Sequence, residues 1–256
     1  TKEFCNLYET FIDILKNGPK YQTHTYMHRY RYVMEYDTEA FVDPMIINQA
    51  LHEAWNTTPS KQNMMPYSVF VIGPGSSKIR DLIYYKAVQR EYITNSPRYD
   101  IDENDPIAIE KEFLKQRPIP QYYNFKTAPY ILIFTQRVED KMNIWNQHLS
   151  DTQGMNFEQA SKDRMHRAAK LSSIEIGMFA QTFSNSCLKH GVDISHTRCL
   201  PTELEWWSEP EFSFLENPPV MVMSAGIGKQ YRRGFYSFLD HSIDYRPDFE
   251  RIVKFV

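Results

Sequence analysis

Pro59, Ser60, Asn63 and Pro66 fall within one short polar stretch, Thr58-Pro59-Ser60-Lys61-Gln62-Asn63-Met64-Met65-Pro66-Tyr67. Ser60 and Asn63 carry small side chains that both donate and accept, which suits the edge of a flat polar ligand. Pro59 and Pro66 fix φ and withhold a backbone donor, so both ends of the stretch are stiff. As a bare pattern it fits an ordinary helix-to-strand loop better than a binding site. Other chemistry lacks its partners. Gly226-Ile227-Gly228-Lys229 has Met223 where a phosphate loop needs its first Gly, and Gln230 where it needs Ser or Thr. His52-Glu53 begins a zinc-protease motif, but Asn56 stands at the second His. His24 and His28 have i, i+4 spacing without a Cys or acidic partner close in sequence. No Gly-x-Ser-x-Gly elbow surrounds a serine, and no Gly-x-Gly-x-x-Gly follows a strand. Metal binding is therefore not expected, nor a nucleophilic triad, nor a Rossmann cofactor.

The elements that must position the loop read from periodicity and punctuation. The spacing of Asn6 to Lys16 predicts an amphipathic helix stopped by Asn17-Gly18-Pro19. Tyr21 to Tyr36 is polar, aromatic and rich in arginine. Asp43-Pro44 starts a helix whose Ile46, Ile47, Ala50, Leu51 and Ala54 recur at helical spacing up to the loop. Tyr67 to Ile72 predicts a buried strand, closed by Gly73-Pro74-Gly75. Ser76 to Tyr92 predicts a helix, and Asp105-Pro106 caps a short one to Leu114. Tyr130 to Thr135 predicts a second strand, Pro219 to Ala225 a third and Ile252 to Val256 a fourth. Between the second and third, Phe157 to His190 carries the longest helical stripe, ended by Gly191. Helices and strands mix without regular βαβ alternation, so the expected class is α+β.

Composition narrows the partners. At 256 residues the chain can bury a sizeable core. A formal net charge of -3 argues against nucleic acid. No apolar run is long enough to span a bilayer, and Thr1 to Lys16 lacks a signal peptide's layout. Cys5, Cys187 and Cys199 are odd in number and widely spaced, which fits a reducing cytoplasm.

Taken in order, these stretches resemble the nitroreductase family. The Pro59–Tyr67 loop is similar to the family's flavin-contacting Pro-Ser-x-x-Asn-x-Gln-Pro-Trp, with Met65 for the Gln and Tyr67 for the Trp. His28 to Asp37 resembles the opening Arg-Arg-Ser-x-Arg-x-Phe segment, which holds the FMN phosphate and the pyrimidine edge of the ring. Tyr36 takes the Phe position there, and Met34 stands where a flavin-facing Lys or Arg is common. Arg29 and Arg31 are the candidates for the negative charge at the flavin N1 edge. Tyr123 to Pro129 resembles the family's Asn and Ala-Pro run, which implies that Asn124 reads the pyrimidine edge. Ser172 to Gln181 and Leu188 to Val192 look like the central helix and its ending. Thr197 to Pro201, with Cys199 and Leu200, lies where the family turns backbone N–H groups toward flavin N5. Pro219 to Gly226 is similar to the penultimate strand, and Arg246 to Val253 to the closing segment whose arginine often binds the phosphate. Lys229, Arg232 and Arg233 are nearby alternatives to Arg246.

The resemblance implies one α+β domain over 1–256, a mixed sheet wrapped by helices, with residues 76–121 as an insertion or lid. It implies FMN at a homodimer interface and a C-terminal strand, Phe249 to Val256, exchanged between copies. NAD(P)H would reduce the flavin, and a small-molecule acceptor such as a nitroaromatic, a quinone or another flavin would take the electrons in a ping-pong sequence. Relatives of this fold also carry out reductive dehalogenation or oxidise substrates without a nicotinamide. A flavin-binding protein without turnover is a further class.

Overall fold

The computed structural model describes residues 33–60, 65–95, 101–102, 104–116, 122–137, 148, 151–154, 157–198 and 200–229. The expected helix at Asn6 to Lys16 and the strand at Ile252 to Val256 lie outside these residues, as do Arg29, Arg31, Asn63, Cys199 and Arg246.

The first described helix, α1, spans Pro44–Thr57. Asp43 starts it as its side chain predicts: Oδ1 accepts from the Met45 N–H at 2.9 Å, and Pro44 occupies the first turn. Its inner face is Ile47, Ala50 and Ala54. Thr58, extended at ψ 118, ends it before Pro59, because a residue preceding proline is pushed out of the helical region. Strand β1 follows at Tyr67–Ile72. Helix α2 is Ser77–Asn95 and α3 is Pro106–Gln116, where Asp105 Oδ1 accepts from the N–H groups of Ile107 and Ala108 at 3.0 Å each. A single-turn helix α4, Asn124–Thr127, leads into β2, Tyr130–Gln136. The long helix α5 is Phe157–Lys189. Strand β3, Asp193–Thr197, two 3-10 turns at Leu204–Trp207 and Pro210–Phe212, and β4, Pro219–Gly226, follow.

The strands form one sheet in the order β1-β2-β4-β3, and each pairing is antiparallel. Phe70 sits opposite Ile133, Ile133 opposite Val222, and His196 opposite Met223. Side chains alternate between the two faces. On β2, Ile131 and Ile133 enter a core with α2, α3, α4 and the 3-10 turns, while Tyr130, Leu132 and Phe134 enter a second core with α1 and α5. Burial on both faces explains why β2 reads as an unbroken apolar run rather than an alternating one. Helices therefore cover both sides of the sheet, and α2 is built into the first core through Ile83, Tyr84, Ala87 and Val88. Lys86 of α2 ties down the 3-10 region: its Nζ pairs with Glu209 Oε1 at 2.6 Å and lies 5.7 Å from the Trp207 ring centroid.

Strand β3 is absent from the sequence-based reading. Its five residues, Asp-Ile-Ser-His-Thr, hold one large apolar side chain, so neither composition nor alternation marks it. Pairing with β4 makes it a strand. Among the described residues, no helix is long and apolar enough to cross a membrane.

Candidate functional site

The loop after α1 is fastened at its two ends. Ser60 Oγ accepts from the Met65 N–H at 2.8 Å. The Met65 carbonyl accepts from Arg137 Nη2 at 2.9 Å and from the Tyr67 N–H at 2.7 Å. Arg137 also donates its own N–H to the Pro66 carbonyl at 3.1 Å. Met65 has φ +42, a left-handed conformation that costs a side-chain-bearing residue about 1–2 kcal/mol. These hydrogen bonds hold it there. Pro59 is exposed, and Ser60, half-buried, uses only an acceptor site in its bond to Met65, so its proton is not spent on it.

Beside the loop lies a cleft of about 630 Å³ between α1, β1 and α5. Trp55, Tyr67, Phe70 and Phe179 supply its aromatic walls, with His52 and Arg137 at polar positions. Tyr67 and Phe179 meet edge to face with ring centroids 5.8 Å apart. Trp55 is 57% exposed, whereas Tyr67 is buried. Burial, and then the charge of Glu175, push the Tyr67 phenol up to about 12. Its hydroxyl oxygen has no hydrogen-bond partner among the described residues.

A second polar centre lies in the region of the first core. Asn124 is 2% exposed, and its Nδ2 donates to Ser224 Oγ at 2.9 Å. Its Oδ1 is buried without a partner among the described residues. Tyr36, fully buried, donates its hydroxyl to the Ser224 carbonyl at 2.9 Å and stands 3.0 Å from Ser224 Oγ. The backbone N–H of Tyr36 reaches Thr127 Oγ1 at 2.9 Å, and Tyr36 bridges to Gly228. Gly226 is needed beside it: a Cβ there would stand 2.6 Å from Tyr36 Cδ1 and 2.7 Å from Pro129 Cδ.

Of the residues expected at a site, Pro59 and Ser60 stand at the loop, Asn124 stands under β4, and Leu200 is buried in the first core. Ser224 shares the strand face of Val222, which belongs to the first core, while Tyr67 and Phe179 belong to the second. Met65, which packs on the second core and is bonded to Ser60, and Asn124 thus lie on different sides of the sheet within one chain. Lys229, an alternative phosphate ligand, is already paired: its Nζ lies 2.7 Å from Glu35 Oε1. Sequence reasoning missed Ser224, Arg137 and the Tyr36 hydroxyl, because their partners are distant in the chain and no local motif joins them.

No protein-family model matches this chain, and no curated protein sequence matches it. Solved structures do. A protein from Staphylococcus epidermidis assigned as an NAD(P)H:FMN oxidoreductase aligns over 91% of this chain and 95% of its own, with a TM-score of 0.54 at 12% identity. A protein from Exiguobacterium sibiricum assigned as a nitroreductase, crystallised in complex with FMN, aligns over 90% and 95%, with a TM-score of 0.53 at 14% identity. A BluB-like flavoprotein from Clostridium difficile aligns over 91% and 98%, with a TM-score of 0.54 at 15% identity. At such identities the likeness is one of fold: this chain has the α+β fold of the nitroreductase-like proteins.

Proposed function

We propose that this chain, built on the nitroreductase fold, binds FMN and is an oxidoreductase that passes electrons from NAD(P)H to a small organic acceptor. Fold alone does not give function. The observation that carries the cofactor is Asn124 Oδ1, a buried acceptor with no partner among the described residues. Such an atom costs about 1–3 kcal/mol. An isoalloxazine ring offers a donor of the right kind in its N3–H, at the residue that the family resemblance assigns to the pyrimidine edge.

The remaining residues divide the cofactor between them. Ser60 and Asn63 hold it from the loop. Arg29 or Arg31 holds the phosphate together with Arg246, since the planar fork of arginine donates two parallel bonds to an anion. The ion pair of Lys229 with Glu35 favours Arg246 over Lys229 for that role. The backbone about Cys199 and Leu200 faces the ring. When bound, FMN supplies hydride acceptance from NAD(P)H and its delivery to a nitroaromatic, quinone or flavin-type acceptor. The aromatic walls of the cleft suit a flat ring. The position of Ser60 and Asn124 on different sides of the sheet in one chain supports a flavin held between two copies, with a homodimer as the working species.

The test begins with the purified protein. It is expected to be yellow, to release FMN on heating, and after reconstitution to oxidise NAD(P)H when a quinone is added. Release of FAD or haem, or failure of the apoprotein to take up FMN, defeats the reading.

A further inference from the structure

The flavin contacts above leave open what orients Asn124. We infer that Ser224, fixed by Tyr36, is a positioning residue that holds the Asn124 amide with Nδ2 toward the protein and Oδ1 toward the cofactor, an inference that rests on the FMN reading.

An asparagine amide has two ends of almost equal size. Turning it over exchanges an acceptor for two donors, so its chemistry toward a ligand depends on what holds it. Among the described residues, Ser224 Oγ is the atom that bonds the Asn124 side chain, at 2.9 Å from Nδ2. A serine oxygen has one proton and two acceptor sites. The Tyr36 proton goes to the Ser224 carbonyl at 2.9 Å. That leaves the Ser224 proton two acceptors, Tyr36 Oη at 3.0 Å and the Ser195 carbonyl at 3.5 Å. With its proton spent there, Oγ offers Asn124 a lone pair, and a lone pair accepts from Nδ2. The reversed amide would set Oδ1 against that lone pair, or draw the Ser224 proton away from Tyr36 and Ser195. It would also leave both amide protons without a partner, where the observed orientation leaves one proton and the acceptor. The network therefore selects one orientation.

Tyr36 is well placed to enforce it. Its ring fills the space that a side chain at Gly226 would need, and its N–H bonds Thr127, on the same single-turn helix as Asn124. Asn124 and Ser224 are thus held at a fixed separation by a third residue that touches both their elements. The orientation predicts a preference: ligands with a donor at flavin N3 bind, and ligands without it lose that bond.

The experiment is a fluorescence titration of the apoprotein with FMN and with 3-methyl-FMN, which lacks the N3 proton. Wild type should prefer FMN by about tenfold or more, the factor for one hydrogen bond. Ser224→Ala should shrink the ratio several-fold by weakening FMN while leaving 3-methyl-FMN nearly unchanged. Tyr36→Phe keeps the ring and should shrink it in the same direction, which preserves the test if Ser224→Ala fails to fold. A variant that weakens both flavins equally, or that keeps the wild-type ratio, overturns the role of Ser224. Wild-type uptake of both flavins with equal affinity also overturns it and leaves the FMN reading standing. Uptake of neither removes the FMN reading itself.

Discussion

Tyr67 illustrates how a single side chain sets a pH limit on the fold. Its phenol is buried, without a partner among the described residues, and pushed from 10.0 up to about 12. A tyrosine whose folded pKa is raised by burial takes nothing from stability below its unfolded value. Stability then falls as the pH climbs toward the folded value, here from about pH 10 to about pH 12, because the unfolded chain ionises first. Cys187, raised by burial from 9.0 to about 12, acts in the same direction. Tyr67→Phe should therefore soften the alkaline loss without abolishing it. Near neutral pH it should raise apoprotein stability by at most about 1–3 kcal/mol, because it deletes a desolvated and unbonded hydroxyl. Denaturant midpoints measured on either side of the alkaline window check both parts, and an unchanged alkaline slope contradicts the assignment. At this scale the sequence was partly legible. Pro59, Ser60 and Asn124 were singled out through the family resemblance. Ser224 and Tyr36 did not, since Tyr36 meets Ser224 across 188 positions and nothing between them records the contact.

At the scale of elements, β2 is buried on both faces and feeds both cores. Leu132 is fully buried in the core with α1 and α5. Leu132→Ala should cost about 2–5 kcal/mol, whereas Val71→Ala, on the edge strand at 41% exposure, should cost well under about 1 kcal/mol. Urea unfolding of both variants distinguishes a two-sided sheet from a looser one, and equal losses would contradict it. The same burial made β2 and β4 legible as continuous apolar runs. Strand β1 was legible for a related reason, having Pro66 before it and Gly73 after it. Strand β3 was not, because its pairing partner rather than its composition makes it extended. Helix α2 falls within the 76–121 stretch expected as an insertion or lid, and its Ile83 and Tyr84 are fully buried. A polar helix with one apolar stripe gives no sign in sequence of how deep that stripe sits.

For the whole molecule, β1 is hydrogen-bonded on one side to β2 and meets no other described strand. An unpaired edge invites another strand. In the proposed dimer the apolar terminus, Phe249 to Val256, is the segment available to cross between copies. Light scattering should give a dimer for the full chain and a monomer, or aggregate, for a chain cut after Pro247. A flavin-loaded monomer of the intact chain would contradict the arrangement. The fastening of the loop has a separate consequence. The start of β1 is held by the Ser60 hydroxyl and the Arg137 guanidinium and N–H, which grip the backbone of Met65 and Pro66 and leave the Met65 side chain out of the bonding. Selection for a new substrate can therefore exchange the Met65 side chain, which lines the cleft, without disturbing strand register, so that novelty and robustness are inherited through different atoms of the same residue.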